Sequence, residues 1–307
     1  MKKQRSILML FVVMFTAILF SPAKASEPLR VAVSIPPQVY FVEQIGGDLV
    51  DVLCMLPEGA TPHTYEPTAQ QMKQLSQADL YVRIQVDFEN AWWEKMMSAN
   101  PDMQVVDSTE GVEFLEGHVH EEAGGKHEHE DEKHRVEESD HHEHHGRNPH
   151  IWLSPRAVKM QVEDICQGLV SVDPEHKDSY TTHKESFLNT LNSLDAEIQN
   201  KLAHLKTRTF MIFHPAWSYF ARDYGLEEIS IEIEGKEPSA KEMAELMKIA
   251  KEGQVSVIFV QPQSSRRSAD TIAKQIGARV EMLDPLAANW FENMRHVSDI
   301  FAETLSR

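Results

Sequence analysis

The sequence predicts an α/β protein. It has two lobes, each built on a mostly parallel sheet, joined by one long helix with a ligand cleft between the lobes. Three observations carry this. Short β-branched runs alternate with helical patterns near the start of the chain. The same alternation restarts near residue 209. A single apolar stripe at helical spacing lies between the two blocks.

In the first block, strands are predicted at 29–35, 50–56, 80–84 and 104–106 and helices at 37–45, 68–77 and 88–98, with Gly46 and Gly47 closing the first helix. In the second, strands are predicted at 209–213, 228–233, 255–260 and 279–282. Helices fall at 216–224, 239–252, 265–276 and 289–305. Pro238 just before Ser239 and Gly253 just after Glu252 punctuate one of them. Between the blocks, Tyr180, Phe187, Leu191, Leu194, Ile198, Leu202 and Leu205 recur at spacings of three, four and seven. They form one face of a helix over about 176–206, roughly 45 Å long at about 1.5 Å per residue. The domain expectation is therefore 26–172 for the first lobe, 173–206 for the linking helix and 207–307 for the second lobe.

The ends and totals narrow the function class. Lys2, Lys3 and Arg5 precede an apolar run from Ile7 to Phe20, and Ala23 and Ala25 supply the small residues that signal peptidase reads. This predicts a cleaved signal peptide over 1–25 and an exported, periplasmic product. A net charge of −18 argues against nucleic acid and suits a protein that attracts cations. Two cysteines, Cys54 and Cys166, are too few for a disulfide scaffold and are expected as separate buried thiols. The protein is expected to be a monomer.

The stretch 118–145 holds nine histidines, His118, His120, His127, His129, His134, His141, His142, His144 and His145, among ten carboxylates. With almost no apolar side chain it cannot build a core, and it is expected to be a mobile collector of divalent metal with low affinity. Imidazole is a borderline-soft ligand suited to zinc, nickel and copper.

Ligands in open α/β sheets bind at the carboxyl ends of strands. His63 follows the second predicted strand, His214 the strand at 209–213 and Asp284 the strand at 279–282, while His150 lies just after the histidine-rich stretch. Two candidates come from each lobe, and three imidazoles with one carboxylate would complete a tetrahedral zinc shell. His176, His183, His204 and His296 lie on predicted helices and read as surface or helix-end residues. Tyr65 and Glu66 flank His63 and are expected to orient it.

At these residues the chain resembles the zinc-uptake solute-binding proteins of bacterial ABC transporters, the cluster of ZnuA-type receptors and their manganese-binding relatives. The similarity runs over essentially the whole chain after residue 25. It is carried by PHTYEP at 62–67, PHIWL at 149–153, FHPAWSYF at 213–220, EIEGKEPS at 232–239, FVQPQ at 259–263 and LDPL at 283–286. The resemblance implies metal binding by His63, His150 and His214. Asp284 matches a position where many members place a carboxylate ligand and where, in some zinc members, it yields to water or another carboxylate. It also implies zinc as cargo, an inner-membrane ABC permease as partner and no enzymatic activity. Imidazole at 214, where manganese-binding relatives place Glu, favours zinc. A manganese or other divalent-metal receptor of the same class is the alternative, and an exported zinc hydrolase a more distant one. The family often has Asp at both positions where this chain has Asn148 and Ser154.

Overall fold

The computed structural model describes residues 27–117, 146–232, 236–264 and 266–306. The signal-peptide expectation for 1–25 and the collector expectation for 118–145 lie outside the described residues.

The first lobe contains β1 (Leu29–Val33), α1 (Pro36–Gly46), β2 (Val50–Cys54), α2 (Ala69–Leu75), β3 (Leu80–Arg83), α3 (Asp87–Ala99) and β4 (Gln104–Asp107). Its strands form a fully parallel sheet in the order β2-β1-β3-β4. A 3₁₀ turn at Ile151–Leu153 leads into α4 (Pro155–Val172), and a second at Pro174–His176 leads into α5 (Lys177–Lys201). The second lobe follows: β5 (Thr209–Ile212), α6 (Ser218–Tyr224), β6 (Glu227–Ser230), α7 (Ala240–Glu252), β7 (Val257–Val260), α8 (Arg267–Ile276), β8 (Arg279–Met282) and α9 (Trp290–Leu305). Its sheet is again parallel, in the order β6-β5-β7-β8.

Local chemistry explains the boundaries. Thr68 and Ser239 cap α2 and α7, each accepting from the backbone N–H three residues on, with Gln71 and Glu242 reaching back in return. Gly225 and Gly277 end α6 and α8 in the left-handed region, at φ 67° and 74°. The linking helix is shorter than its apolar stripe suggests, ending at Lys201 rather than near Lys206. The Arg208 guanidinium donates to the carbonyls of Leu202 and Ala203 (3.4 Å each), stopping the helix and turning the chain into β5.

Strand alternation sorts the second sheet's side chains onto two faces. Phe210, Ile212, Val257 and Phe259 face the main core, while Met211, Phe213, Ile258 and Val260 face a smaller core under α7 and α8. The main core is continuous between lobes. It joins Val31, Phe41 and Tyr81 of the first lobe to Leu191 and Leu194 of α5 and to Trp217, Trp290 and Phe301 of the second. Trp152 is the junction: its indole Nε1 donates to the Pro285 carbonyl (2.7 Å), and its own carbonyl accepts from Trp290 Nε1 (2.7 Å). A shared, close-packed core resists wide hinge motion.

Cys54 and Cys166 are both free thiols. Burial pushes the Cys54 thiol up to about 11 and raises that of Cys166, so neither is a ready thiolate ligand. No helix among the described residues is long and apolar enough to cross a membrane.

Candidate metal centre

Each of the three histidines is delivered by a different element. His63 lies in the loop after β2. A backbone bond from Phe88 N to the Pro62 carbonyl (3.1 Å) ties that loop to the start of α3. His214 lies one residue past the end of β5, after Phe213. His150 precedes the 3₁₀ turn that opens α4, and it is only 5% exposed.

The rings converge. His63 Nε2 lies 3.1 Å from His214 Nε2, which lies 3.3 Å from His150 Nε2. Among the described residues, His63, His150 and His214 form the group whose ligand atoms all lie within 4.8 Å of one another. Nitrogens sharing one tetrahedral zinc at about 2.0–2.1 Å sit roughly 3.3 Å apart, which matches the two shortest separations.

The other face of each ring explains the convergence. His63 Nδ1 meets Asp87 Oδ2 at 2.7 Å, His150 Nδ1 meets Asn148 Oδ1 at 2.8 Å, and His214 Nδ1 meets Glu232 Oε1 at 3.2 Å. Carboxylate and carboxamide oxygens accept, so the contacts favour the tautomer with the proton on Nδ1, which turns an Nε2 lone pair inward. Three inward lone pairs cannot hydrogen-bond one another. They form a ready cation site, with the ring tautomers set from behind.

Sequence reasoning assigned the orientation of His63 to Tyr65 and Glu66, and the structure corrects this. Tyr65 donates to Gln71 Oε1 and Glu66 is exposed. Asp87, the first residue of α3, holds the ring instead. Glu232 was also missed as a partner of His214. Both lie 18 to 24 residues from their histidines, so no local motif links them.

Asp284 does not join the imidazole group. Its Oδ1 accepts from Leu286 N (2.9 Å), and its carbonyl accepts from Asn293 Nδ2 (2.8 Å), closing the turn before α9. Two of the other histidines are occupied elsewhere: His176 Nδ1 meets Asp173 (2.6 Å) and His183 Nδ1 meets the Ile45 carbonyl (3.0 Å).

Asn148 has a double role. Its side chain orients His150 and donates to Ser218 Oγ of the second lobe (3.1 Å), while its carbonyl accepts from Tyr219 Oη (2.7 Å). Ser154 caps α4 by accepting from Ala157 N (3.0 Å) and donates to Asp223 Oδ2, another bond across the lobes. The cleft over the imidazoles has a volume of about 610 Å³, with Thr61, Asp87, Glu232, Gln261 and Gln263 in its wall.

A two-lobed α/β frame with an inward-facing imidazole cluster where the lobes meet defines a binding protein of the solute-receptor class. A model of the family described as zinc-uptake complex component A, periplasmic (ZnuA), matches residues 31–304, and the chain belongs to that family. The high-affinity zinc uptake system protein ZnuA of Bacillus subtilis is 31% identical over 265 residues, covering 85% of this chain and 79% of that one. The zinc-binding lipoprotein AdcA of Streptococcus pneumoniae is 30% identical over 291 residues. That match covers 93% of this chain but 56% of AdcA, so the chain spans little more than half of that relative's length. The crystal structure of ZnuA superposes with a TM-score of 0.83 at 42% identity, covering 91% of this chain and 100% of that one.

Proposed function

We propose that this chain captures zinc between its lobes and delivers it to an inner-membrane ABC permease after export to the periplasm through a cleaved signal peptide. His63 and His150 bind from the first lobe and His214 from the second. The observation that carries this is the convergence of three imidazoles, each held at Nδ1 by its own oxygen partner. Membership of a zinc-uptake family supports zinc as the cargo. All-imidazole coordination favours zinc over manganese, which prefers oxygen-rich sites. The protein acts as a receptor, not an enzyme.

The continuous core and the Trp152 junction favour capture by small adjustments of the His63 and His214 loops over a swing of whole lobes. The histidine-rich stretch 118–145 serves as a low-affinity collector, raising the local metal concentration.

The test is zinc titration of His63→Ala, His150→Ala and His214→Ala against a chromophoric chelator. Each substitution is expected to abolish tight binding. Unchanged affinity in all three would refute the assignment.

A further inference from the structure

We infer that the rim of the cleft is a charge-polarised docking surface, acidic on the first lobe and basic on the second, which seats the protein on its membrane permease in one orientation. The inference rests on the receptor reading proposed above and names the surface that reading requires.

Both sheets are parallel, so the loops that follow their strands leave each sheet by one edge. A single cavity gathers those loops from both lobes. Its wall includes Thr64 after β2, Asp87 after β3, Gly117 after β4, Pro215 after β5, Glu232 after β6 and Ser264 after β7. Charged side chains of the same loops therefore stand around its mouth.

The two sides of that mouth differ in sign. On the first lobe, Glu58, Glu66, Asp87, Glu110, Glu113 and Glu116 are exposed, and the described loops after β2, β3 and β4 contain no lysine or arginine. Arg147, in the segment before His150, is the cation on this side, and its guanidinium lies over the Phe114 ring (5.3 Å). On the second lobe, Lys236, Lys241, Arg266 and Arg267 are exposed, in the loops after β6 and β7 and the first turns of α7 and α8. Glu237 accepts from Ser268 Oγ, which ties the start of α8 to the loop after β6 and puts these cations on one side of the mouth. The other described acids nearby are engaged locally. Glu232 meets His214, and Glu242 accepts from Ser239 N at the α7 cap (2.6 Å). Asp270 lies 3.5 Å from Arg266, an exposed pair that solvent screens.

This pattern specifies the partner. The imidazoles line the cavity, so cargo leaves by its mouth and the receiving protein sits over it. An anionic lipid surface would attract the second lobe and repel the first. A permease with cations over the first lobe and carboxylates over the second matches both. Polarity also supplies what shape supplies poorly. The two sheets share one connectivity, β2-β1-β3-β4 and β6-β5-β7-β8, so the lobes offer similar outlines when the receptor is rotated by half a turn. Opposite charges favour one of the two seatings.

The test uses spheroplasts of the host bacterium deleted for this chain, to which the zinc-loaded full-length protein is added back. Uptake of radioactive zinc is read against protein concentration. Arg266→Glu with Arg267→Glu, and Glu58→Lys with Glu113→Lys, are each expected to raise the half-saturating concentration about tenfold, the lower end of what charge steering supplies. Zinc affinity by chelator competition is expected to stay at the wild-type value in both. Lys251→Glu with Lys274→Glu makes the same charge change as the arginine pair at the far ends of α7 and α8, and is expected to leave uptake unchanged. Added salt is expected to raise the half-saturating concentration of the wild type more than that of either rim variant. Vesicles of phosphatidylglycerol are expected not to retain the protein.

Wild-type half-saturation in either rim variant, or an equal loss in the Lys251 and Lys274 control, would overturn the inference. Vesicle retention that the arginine reversal abolishes would assign the basic side to lipid and overturn it too. If the wild type drives uptake and the rim variants match it, this inference falls alone. If the wild type drives no uptake, the receptor reading falls with it.

Discussion

The two carboxylates behind the imidazoles should contribute unequally, and the structure says by how much. Asp87 is 55% exposed and Glu232 is 14% exposed. Each sits roughly 7 Å from an ion held at about 2.0–2.1 Å from Nε2 on the far side of its ring. At that distance a unit charge attracts a unit charge by about 2 kcal/mol at an effective dielectric of about 20, and by about 0.6 kcal/mol in bulk water. Glu232 belongs near the first regime and Asp87 near the second, where solvent screens it. Substitution by the isosteric amide keeps a hydrogen-bond acceptor and removes only the charge. At about 1.4 kcal/mol per tenfold, Glu232→Gln should weaken zinc binding roughly thirtyfold and Asp87→Asn roughly threefold. The divalent charge of zinc pushes both values upward without changing their order. The assay is chelator competition at neutral pH and fixed ionic strength. Raising the salt should shrink the Asp87 effect more than the Glu232 effect. If Asp87→Asn costs as much as Glu232→Gln, the electrostatic reasoning is wrong.

Three further outcomes follow from particular residues. Glu89 is fully buried, and its Oε1 accepts from Ser34 Oγ and from Ile84 N. Burial pushes its carboxyl from 4.5 up to about 7, against the lowering effects of Ser34, of the Ile84 and Gln85 amides and of Arg83. The fold therefore holds the Glu89 proton more tightly than the unfolded chain does, and this contribution is lost as pH rises from about 4.5 through about 7. Glu89→Gln should remove it, changing the stability difference from wild type by about 3 kcal/mol between pH 5 and 8 in urea unfolding. A difference that stays constant with pH would refute this. Trp152→Ala should cost about 3–5 kcal/mol by the same assay, because it empties a fully buried site at the lobe junction; a loss below about 1 kcal/mol would contradict a shared core. Deleting 118–145 should lower the number of zinc ions bound while leaving one tight site, read by native mass spectrometry. Loss of the tight site would reject the collector role.

The frame was legible because its signals are local and periodic. Alternating β-branched runs located the eight strands among the described residues, and Pro238 and Gly253 bracketed the helix that ends at Glu252. The apolar stripe from Tyr180 to Leu202 is buried as its spacing implied. Only the last turn of that helix was misjudged, because the residue that ends it, Arg208, acts from beyond the stripe. At the candidate site, His63, His150 and His214 could be picked out by their placement at strand and loop ends. Their orienting partners could not. Asp87 reads as an ordinary acid at a helix start, and Glu232 as an exposed end of a strand. Only the tertiary fold reveals that they face imidazoles. Asp284 also stands at a strand end, and there its Oδ1 accepts from Leu286 N within the Asp284–Leu286 turn, a contact no local pattern announced.

Zinc K-edge X-ray absorption on the zinc-loaded protein lacking residues 118–145 tests the central claim most directly. Three imidazoles and one oxygen around a single zinc is the predicted result. Two or fewer imidazoles in that shell would contradict it.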